Sequence, residues 1–210
     1  MERFAVNKKL YFFLLVIVMI IAVGKPVYLF AVDSSYVRST KRNPATEIIV
    51  ENMEFTVGNY VTAGYYDIIA HDEVIVGPYM LREGTVVKAE QYTTNNKINV
   101  EGKVTLMPAT FEPLSMENNK YEISMPGHYV VGQEIAIGEY EISMVFKDSY
   151  QVNIAIAKEG DSATNIISWN EKIPMKPVKV NLIKGTTVSI FKTDSMGFQI
   201  DEPIILKRLQ

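Results

Sequence analysis

Cysteine is absent from the sequence, and histidine is almost absent, with two residues among 210. Without thiolates the chain has no disulfide framework, iron–sulfur cluster, thiolate zinc site or cysteine nucleophile. The two histidines, His71 and His128, are too few for a multi-histidine metal site. We therefore expect a protein that holds neither a metal ion nor another cofactor.

Basic residues are also in the minority, with 21 Lys and Arg against 24 Asp and Glu and a net charge of −3. Binding to a nucleic-acid backbone depends on clustered positive charge, so we expect no nucleic-acid partner. Hydrophobic residues make up 48% of the chain, which excludes a disordered protein. The length is sufficient for one or two folded domains.

A long apolar run occurs at the N terminus. Residues 10–24 carry no charge, and Arg3, Lys8 and Lys9 precede them. The secretion machinery recognises a basic head before an apolar run, and the basic side stays in the cytoplasm. The remainder of the chain is therefore expected on the outer side of a cell membrane.

Two interpretations remain open for residues 1–32. One is a signal peptide that is cleaved after the small residue Gly24, which would release a secreted protein. The other is a retained single-pass anchor with a cytoplasmic N terminus, because apolar residues 27–32 extend the run beyond Lys25 and Pro26. Without that extension the helix would reach only about 22 Å, which is short of a bilayer core.

Beyond residue 42 the apolar residues alternate with a period of two. Short runs rich in Val, Ile, Tyr and Thr are separated by Gly, Pro, Asn and Asp. This pattern is typical of strands, and no window has the spacing of an amphipathic helix. We therefore predict an all-β fold, in which two small tandem β-sandwich or barrel-like modules follow the N-terminal helix. The predicted layout is an anchor or signal peptide at 1–32, a stalk and lead-in strand at 33–50, β-module 1 at 51–113, a linker at 114–128 and β-module 2 at 129–210.

An internal repeat supports the two-module layout. Residues 55–68 align without gaps on residues 129–142, and both follow the pattern aromatic-x-Val-Gly-x-x-apolar-x-x-Gly-x-Tyr-acidic-Ile. A second pair of segments, 81–87 and 182–188, also matches, and this predicts an insert in the second copy. We expect the repeated glycines to form turns and the repeated tyrosines to be structural. These structural positions are Gly58, Gly64 and Tyr66 in the first copy and Gly132, Gly138 and Tyr140 in the second.

Both copies resemble a repeat of secreted and membrane-anchored proteins of Gram-positive bacteria, with the pattern Tyr-x-Val-Gly-x-Asp-Ile-Pro-Ala-Gly-x-Tyr-x-Ile. The second copy is more similar, and its matching residues are Tyr129, Val131, Gly132, Ile135, Gly138, Tyr140 and Ile142, while Glu134 replaces the aspartate. The resemblance implies a small extracytoplasmic β-module of the cell envelope. It implies no catalytic residue, because such modules have none assigned.

Aromatic side chains are the candidate ligand contacts. We single out Trp169, Tyr65 and Tyr150 as rings that could offer flat faces to a sugar or a protein. Tyrosine and tryptophan also suit half-buried strand positions, so a core role for the same residues remains open. His71 is predicted in a hairpin loop and His128 in the linker, where neither is expected to act as a catalytic base.

Two acidic residues, Asp67 and Glu141, occupy equivalent positions in the two copies. Strand alternation places both on the face away from the apolar side chains, where we expect them to be solvated. Conversion of either one to its amide should therefore leave folding and function nearly unchanged. Two carboxylates are sufficient for glycoside hydrolysis, so a carboxylate-based hydrolase is the enzyme alternative.

These features predict a membrane-anchored extracytoplasmic β-protein that acts as a non-catalytic binding or structural component of the bacterial cell envelope. Its expected partners are the membrane, through the N-terminal helix, and either an envelope protein or a cell-wall polymer. An accessory or immunity factor for a secretion or toxin system is the first alternative, and the hydrolase is less favoured. We expect no catalytic residue and no enzymatic activity.

Overall fold

The computed structural model describes residues 38–144, 150–158, 165–170 and 176–209. Within these ranges every regular element is a β-strand, which confirms the predicted all-β class. The helix predicted at 1–32 lies outside the described residues. None of the described residues forms a helix long and apolar enough to cross a membrane.

The described residues contain the following strands, given in chain order. They are β1 (Ile48–Thr56), β2 (Gly64–Ala70), β3 (Val74–Val76), β4 (Tyr79–Leu81), β5 (Val86–Tyr92), β6 (Lys97–Pro108), β7 (Lys120–Ile123), β8 (Gly127–Val130), β9 (Gly138–Met144), β10 (Gln151–Lys158), β11 (Asn165–Trp169), β12 (Val178–Leu182), β13 (Thr186–Thr193) and β14 (Ile204–Arg208). We refer to β1–β6 as the N-terminal half and to β7–β14 as the C-terminal half.

The strands of the described ranges form two sheets. The larger sheet has the order β11-β10-β13-β8-β5-β2-β6-β3-β4, with β1 paired to β6, and it runs through both halves. The smaller sheet has the order β12-β9-β14-β7. The named strands pair in antiparallel fashion except where β5 meets β8, whose parallel pairing joins Lys88 to Gly127. We call this meeting of the two halves the junction.

Each half has its own hydrophobic core. The core of the N-terminal half surrounds Tyr66, Ile68 and Leu106, and that of the C-terminal half surrounds Tyr140 and Ile142. A third, smaller group of buried side chains belongs to both halves. This junction cluster consists of Tyr65, Ala89, Ala109, Phe111 and Val130.

The repeat is visible in the strand pairing. In the N-terminal half the long strand β6 pairs with both β1 and β2. In the C-terminal half two strands share that role, because β13 pairs with β8 while β14 pairs with β7 and β9. Residues 194–203 interrupt what is one continuous strand in the first copy. The hairpin β10–β11 pairs with β13 as the shorter hairpin β3–β4 pairs with β6.

The predicted match between segments 81–87 and 182–188 is wrong. Gly84 precedes β5, whereas Gly185 joins β12 to β13. The true counterpart of Gly185 is Asn95, because Val57 and Val131 accept hydrogen bonds from the backbone N–H groups of Asn95 and Gly185, respectively. Both residues have a left-handed backbone, with φ of 72° and 79°. Asparagine is one of the few residues with a side chain that adopt this conformation, so the shared glycine was a misleading guide.

The chain before β1 is fixed to both halves, although the sequence predicts a stalk there. The side chain of Asn43 donates to Tyr65 O at 2.7 Å and accepts from Tyr65 N at 3.0 Å. Arg38 Nη1 donates to Thr187 Oγ1 in the C-terminal half at 2.7 Å. We call residues 38–45 the lead-in.

The segment predicted as a linker, 114–128, also contributes strands. It contains β7, which pairs with β14, and the first residues of β8. The described chain from residue 38 onward accordingly groups as one compact unit.

The junction depends on the absence of a side chain at Gly127. Lys88 N donates to Pro126 O at 2.8 Å. A Cβ at Gly127 would lie 2.5 Å from Lys88 N and closer still to Lys88 O, and its φ of +133° is one that side chains rarely adopt. The two backbones can therefore approach this closely only with glycine at this position.

We predict that Gly127→Ala lowers the free energy of unfolding by at least about 2 kcal/mol, because backbone atoms of β5 must move. Urea unfolding of the full-length chain in detergent measures the change. Gly185→Asn is the matched control, since the first copy has asparagine at that position, and its effect should stay below about 1 kcal/mol. Equal losses in the two variants would contradict a special role for the junction.

Candidate functional site

The three aromatic residues predicted as ligand contacts are buried. Trp169, Tyr65 and Tyr150 are 3%, 5% and 8% exposed. Trp169 and Tyr150 belong to the core of the C-terminal half, whereas Tyr65 packs edge-to-face on Phe111 in the junction cluster at 5.6 Å. The structure thus does not bring them together on one surface. Their burial supports the core role that the sequence left open.

The repeated tyrosines make the same contact in both copies. The hydroxyl of Tyr66 donates to Thr62 O, and that of Tyr140 donates to Ala136 O, each at 2.8 Å. Both rings are fully buried, and burial raises the pKa of Tyr140 to about 12 and that of Tyr66 above its ordinary value. The contact ties each core to the turn that precedes its central strand, which is a structural role.

The repeated glycines serve the same turns. Gly58 N and Gly132 N donate to the carbonyls of Val61 and Ile135 at 2.7 and 2.6 Å. Gly64 lies against the lead-in, where a Cβ would meet Asn43 Oδ1 at 2.7 Å. At Gly138 a Cβ would meet the flexible side chain of Arg208. These positions therefore build the scaffold.

A polar network crosses the junction on one face of the larger sheet. Glu90 Oε2 accepts a hydrogen bond from the Tyr79 hydroxyl at 2.5 Å and lies 3.2 Å from His128 Nε2. His128 Nδ1 shares a 2.7 Å hydrogen bond with Ser189 Oγ. The ring of Phe191 stacks on Tyr79 at 5.6 Å and meets His128 edge-on at 5.3 Å. Strands β4, β5, β8 and β13 are joined in this way.

Sequence reasoning missed this network. It predicts His128 in a linker, whereas the residue lies in β8. Its partners Glu90 and Ser189 come from β5 and β13, which are distant in the sequence. A local motif could not reveal the grouping, because it exists only once the two halves are paired.

The order serine, histidine, carboxylate is that of a nucleophile relay. Ser189, however, lies within β13 between β8 and β10, and pairs with both His128 and Ala155. Its backbone N–H therefore serves a sheet ladder. Acyl transfer needs unpaired donors that face the developing oxyanion. The geometry favours a network that holds the halves together.

A second charged group lies beside the junction cluster. Asp67 Oδ2 is 2.7 Å from Lys88 Nζ, and Asp67 Oδ1 accepts from Ala89 N at 2.9 Å. The register of β2 against β5 shifts here, and Ala89 has a φ of 52°. Asp67 thus stabilises a bulge in β5. The predicted solvated position is wrong for this residue, because the bulge turns Lys88 toward it.

Lys192 is a buried lysine in the C-terminal half. Its Nζ donates to Ser124 O at 2.5 Å and also to Glu202 O. Burial lowers the pKa of Lys192 to about 8, against the opposing effect of Asp201 and Glu202. Its ammonium group links the turn before β8 to the segment before β14.

A polar cleft of about 250 Å³ is lined by residues around the start of β7, namely Ser115, Glu117, Asn118, Lys120 and Glu122. Lys120 Nζ and Glu122 Oε1 form an ion pair there at 2.5 Å. Across the described residues no group of three or more histidine, aspartate or glutamate side chains is placed to hold a metal ion.

Comparison with known proteins returned no match: no family model, no curated protein and no solved structure is similar to this chain. The class of protein is therefore assigned from the fold alone. The protein is an all-β protein in which two repeat copies share one sheet.

We predict that Asp67→Asn lowers the free energy of unfolding by roughly 2 kcal/mol, because it leaves the largely buried Lys88 ammonium without its partner. Urea unfolding of the full-length chain measures the loss. Glu141→Gln is the matched control, because this half-exposed residue of the second copy has no ion pair among the described residues. Equal, negligible effects of the two substitutions would restore the interpretation of Asp67 as a solvated acid.

From the lowered pKa of Lys192, we predict that the free energy of unfolding rises with pH. Between about 8 and its ordinary value of 10.5 the unfolded chain keeps the lysine proton that the folded chain has lost. Stability therefore increases with pH across this window. The difference in unfolding free energy between wild type and Lys192→Met isolates the effect from other groups. The exposed Lys207→Met should show no such difference, and a flat difference for Lys192→Met would contradict the assignment.

Proposed function

We propose that the protein is a membrane-anchored extracytoplasmic component of the bacterial cell envelope, and that it acts by binding another protein without catalysis. The basic head and apolar run of residues 1–32 support the location. In the described body the charged networks join strands, and the aromatic candidates lie in the core of the C-terminal half and in the junction cluster, so a binding role would fall to other exposed side chains. The alternative, an accessory or immunity factor, uses the same kind of surface.

An exposed pair of isoleucines carries the proposal. Gly138 faces Leu182 in the pairing of β9 with β12. Ile137 and Ile183 are the next residues beyond this pair on the two chains, and they are 45% and 51% exposed. In the described part of the smaller sheet β12 is an edge strand. An apolar pair at a sheet edge is typical of a protein-binding surface.

The first copy shows that the scaffold does not need these isoleucines. There Gly64 faces Tyr92, so the equivalent outward neighbours are Ala63 and Thr93. The same turn and strand pair form with a small residue and a polar residue. The exposed isoleucines are therefore free to serve a partner. A protein partner fits this surface better than a wall polymer, because an apolar aliphatic pair offers no hydrogen bonds to sugar hydroxyls.

We predict that a photo-crosslinking residue at Ile183, in the full-length protein in native membranes, captures a discrete protein partner. The same residue at Thr93 is the control and should capture none. The double substitution Ile137→Ala with Ile183→Thr, which installs side chains like those of the first copy, should abolish co-purification without lowering the melting temperature. Mass spectrometry identifies the captured protein, and a toxin or secretion component would favour the accessory alternative.

The opposite outcomes are equally clear. Equal capture from both positions would contradict a surface specific to the second copy. Sedimentation of the double variant with purified cell wall, at wild-type level and with no captured protein, would favour polymer binding. Covalent labelling by a fluorophosphonate that is lost in Ser189→Ala would favour an enzyme.

A further inference from the structure

The carboxyl group of Glu134 is buried where three parts of the chain meet. Glu134 is only 2% exposed, and its Oε2 atom accepts a hydrogen bond from Val130 N at 2.9 Å. The carbonyl of Glu134 accepts from Leu114 N at 2.9 Å. Val130 is part of the junction cluster. Any movement of this turn therefore disturbs the junction.

The lead-in is fastened to the same turn. Gln133 Nε2 donates to Arg38 O at 3.0 Å and to Phe111 O at 3.3 Å. Thr40 Oγ1 in turn accepts from Phe111 N at 3.3 Å. The turn that carries Glu134 thus holds both the lead-in and the segment that leaves β6.

Charged and titratable groups face Glu134 from each neighbouring element. Arg38 of the lead-in and Lys88 of β5 favour its ionised form, while Asp67 of β2 opposes it. Burial raises the pKa of the Tyr129 hydroxyl in β8, and the negative charge of Glu134 raises it further. Lys88 is already paired with Asp67. Desolvation therefore prevails, and burial raises the pKa of Glu134 to about 7.

We propose that Glu134 is a proton-operated lock on the lead-in and the junction. With a proton bound, the neutral carboxyl stays buried. The lead-in, the segment that leaves β6 and the turn that carries Glu134 then remain packed together around it. Once the proton is lost, opening of these segments becomes easier, because water can then reach the carboxylate. The lock does not depend on the identity of any binding partner.

Proton linkage gives the sign and size of the effect. In an open state the hydrated carboxyl returns toward its ordinary pKa of 4.5, whereas in the closed state it is about 7. Between these values the closed state binds more protons. Raising the pH there favours opening by up to about tenfold per pH unit, and the effect levels off above pH 7.

Hydrogen–deuterium exchange of the full-length chain in detergent tests the lock. After correction for intrinsic exchange, we expect the opening of the Phe111, Leu114 and Val130 amides to rise from about pH 5 to 7 by up to tenfold per unit. Glu134→Gln should abolish this rise and keep opening at the low level of the protonated protein. Arg38→Gln should leave the onset of the rise unchanged and extend the rise to higher pH, because it removes a cation that favours ionisation of Glu134 in the closed state.

Glu139→Gln is the matched control, since this exposed acid lies at the start of β9 and should leave the rise intact. Persistence of the rise in Glu134→Gln, or its loss in Glu139→Gln, would overturn the proposal. If Glu134→Gln fails to fold, a carbon-13 titration of the Glu134 carboxyl in wild type decides. A midpoint near 7 supports the lock, and one at the ordinary 4.5 sinks it.

Discussion

The close approach of two backbones at Lys88 and Gly127 is the constraint on which the rest of the structure depends. This pairing joins strands of the two halves into one continuous sheet, although each half keeps its own core. It also brings His128 to Glu90 and places Val130 against Tyr65 in the junction cluster. Since a side chain at Gly127 would collide with β5, one missing Cβ decides whether these contacts exist.

The junction forms once because its two surfaces differ between the copies. The accepting surface is the bulge of β5, which Asp67 holds, while β9 and β12 of the second copy pair without a register shift. The strand that packs onto this bulge, β8, needs glycine at position 127. The equivalent residue in the first copy is Met53 in β1, which has a side chain. Neither end of the described body therefore offers the complementary surface. A heterologous contact that repeated from copy to copy would instead generate open chains of molecules.

Sequence alternation predicts the strands well, because burial on one face imposes a period of two. The internal repeat also predicts that Gly58 and Tyr66 recur with the same structural roles. It does not reveal the junction, since Glu90, His128 and Ser189 meet only through long-range pairing. The sequence left a core role for Trp169 open without deciding it, because a strand pattern assigns residues to faces but does not say what covers each face.

Duplication separates the requirements of folding from those of function. Where both copies share a residue type in the same contact, as with Tyr66 and Tyr140, the fold explains it. Where the scaffold is kept but the side chain differs, another cause is needed. Ile183 replaces the equivalent Thr93, and buried Glu134 replaces the half-exposed Tyr60. Both differences are expected to lower the stability of the second copy. One exposes apolar surface to water, and the other buries a carboxyl group. A stability requirement would select against both, so they are the positions at which a partner and a proton are expected to act.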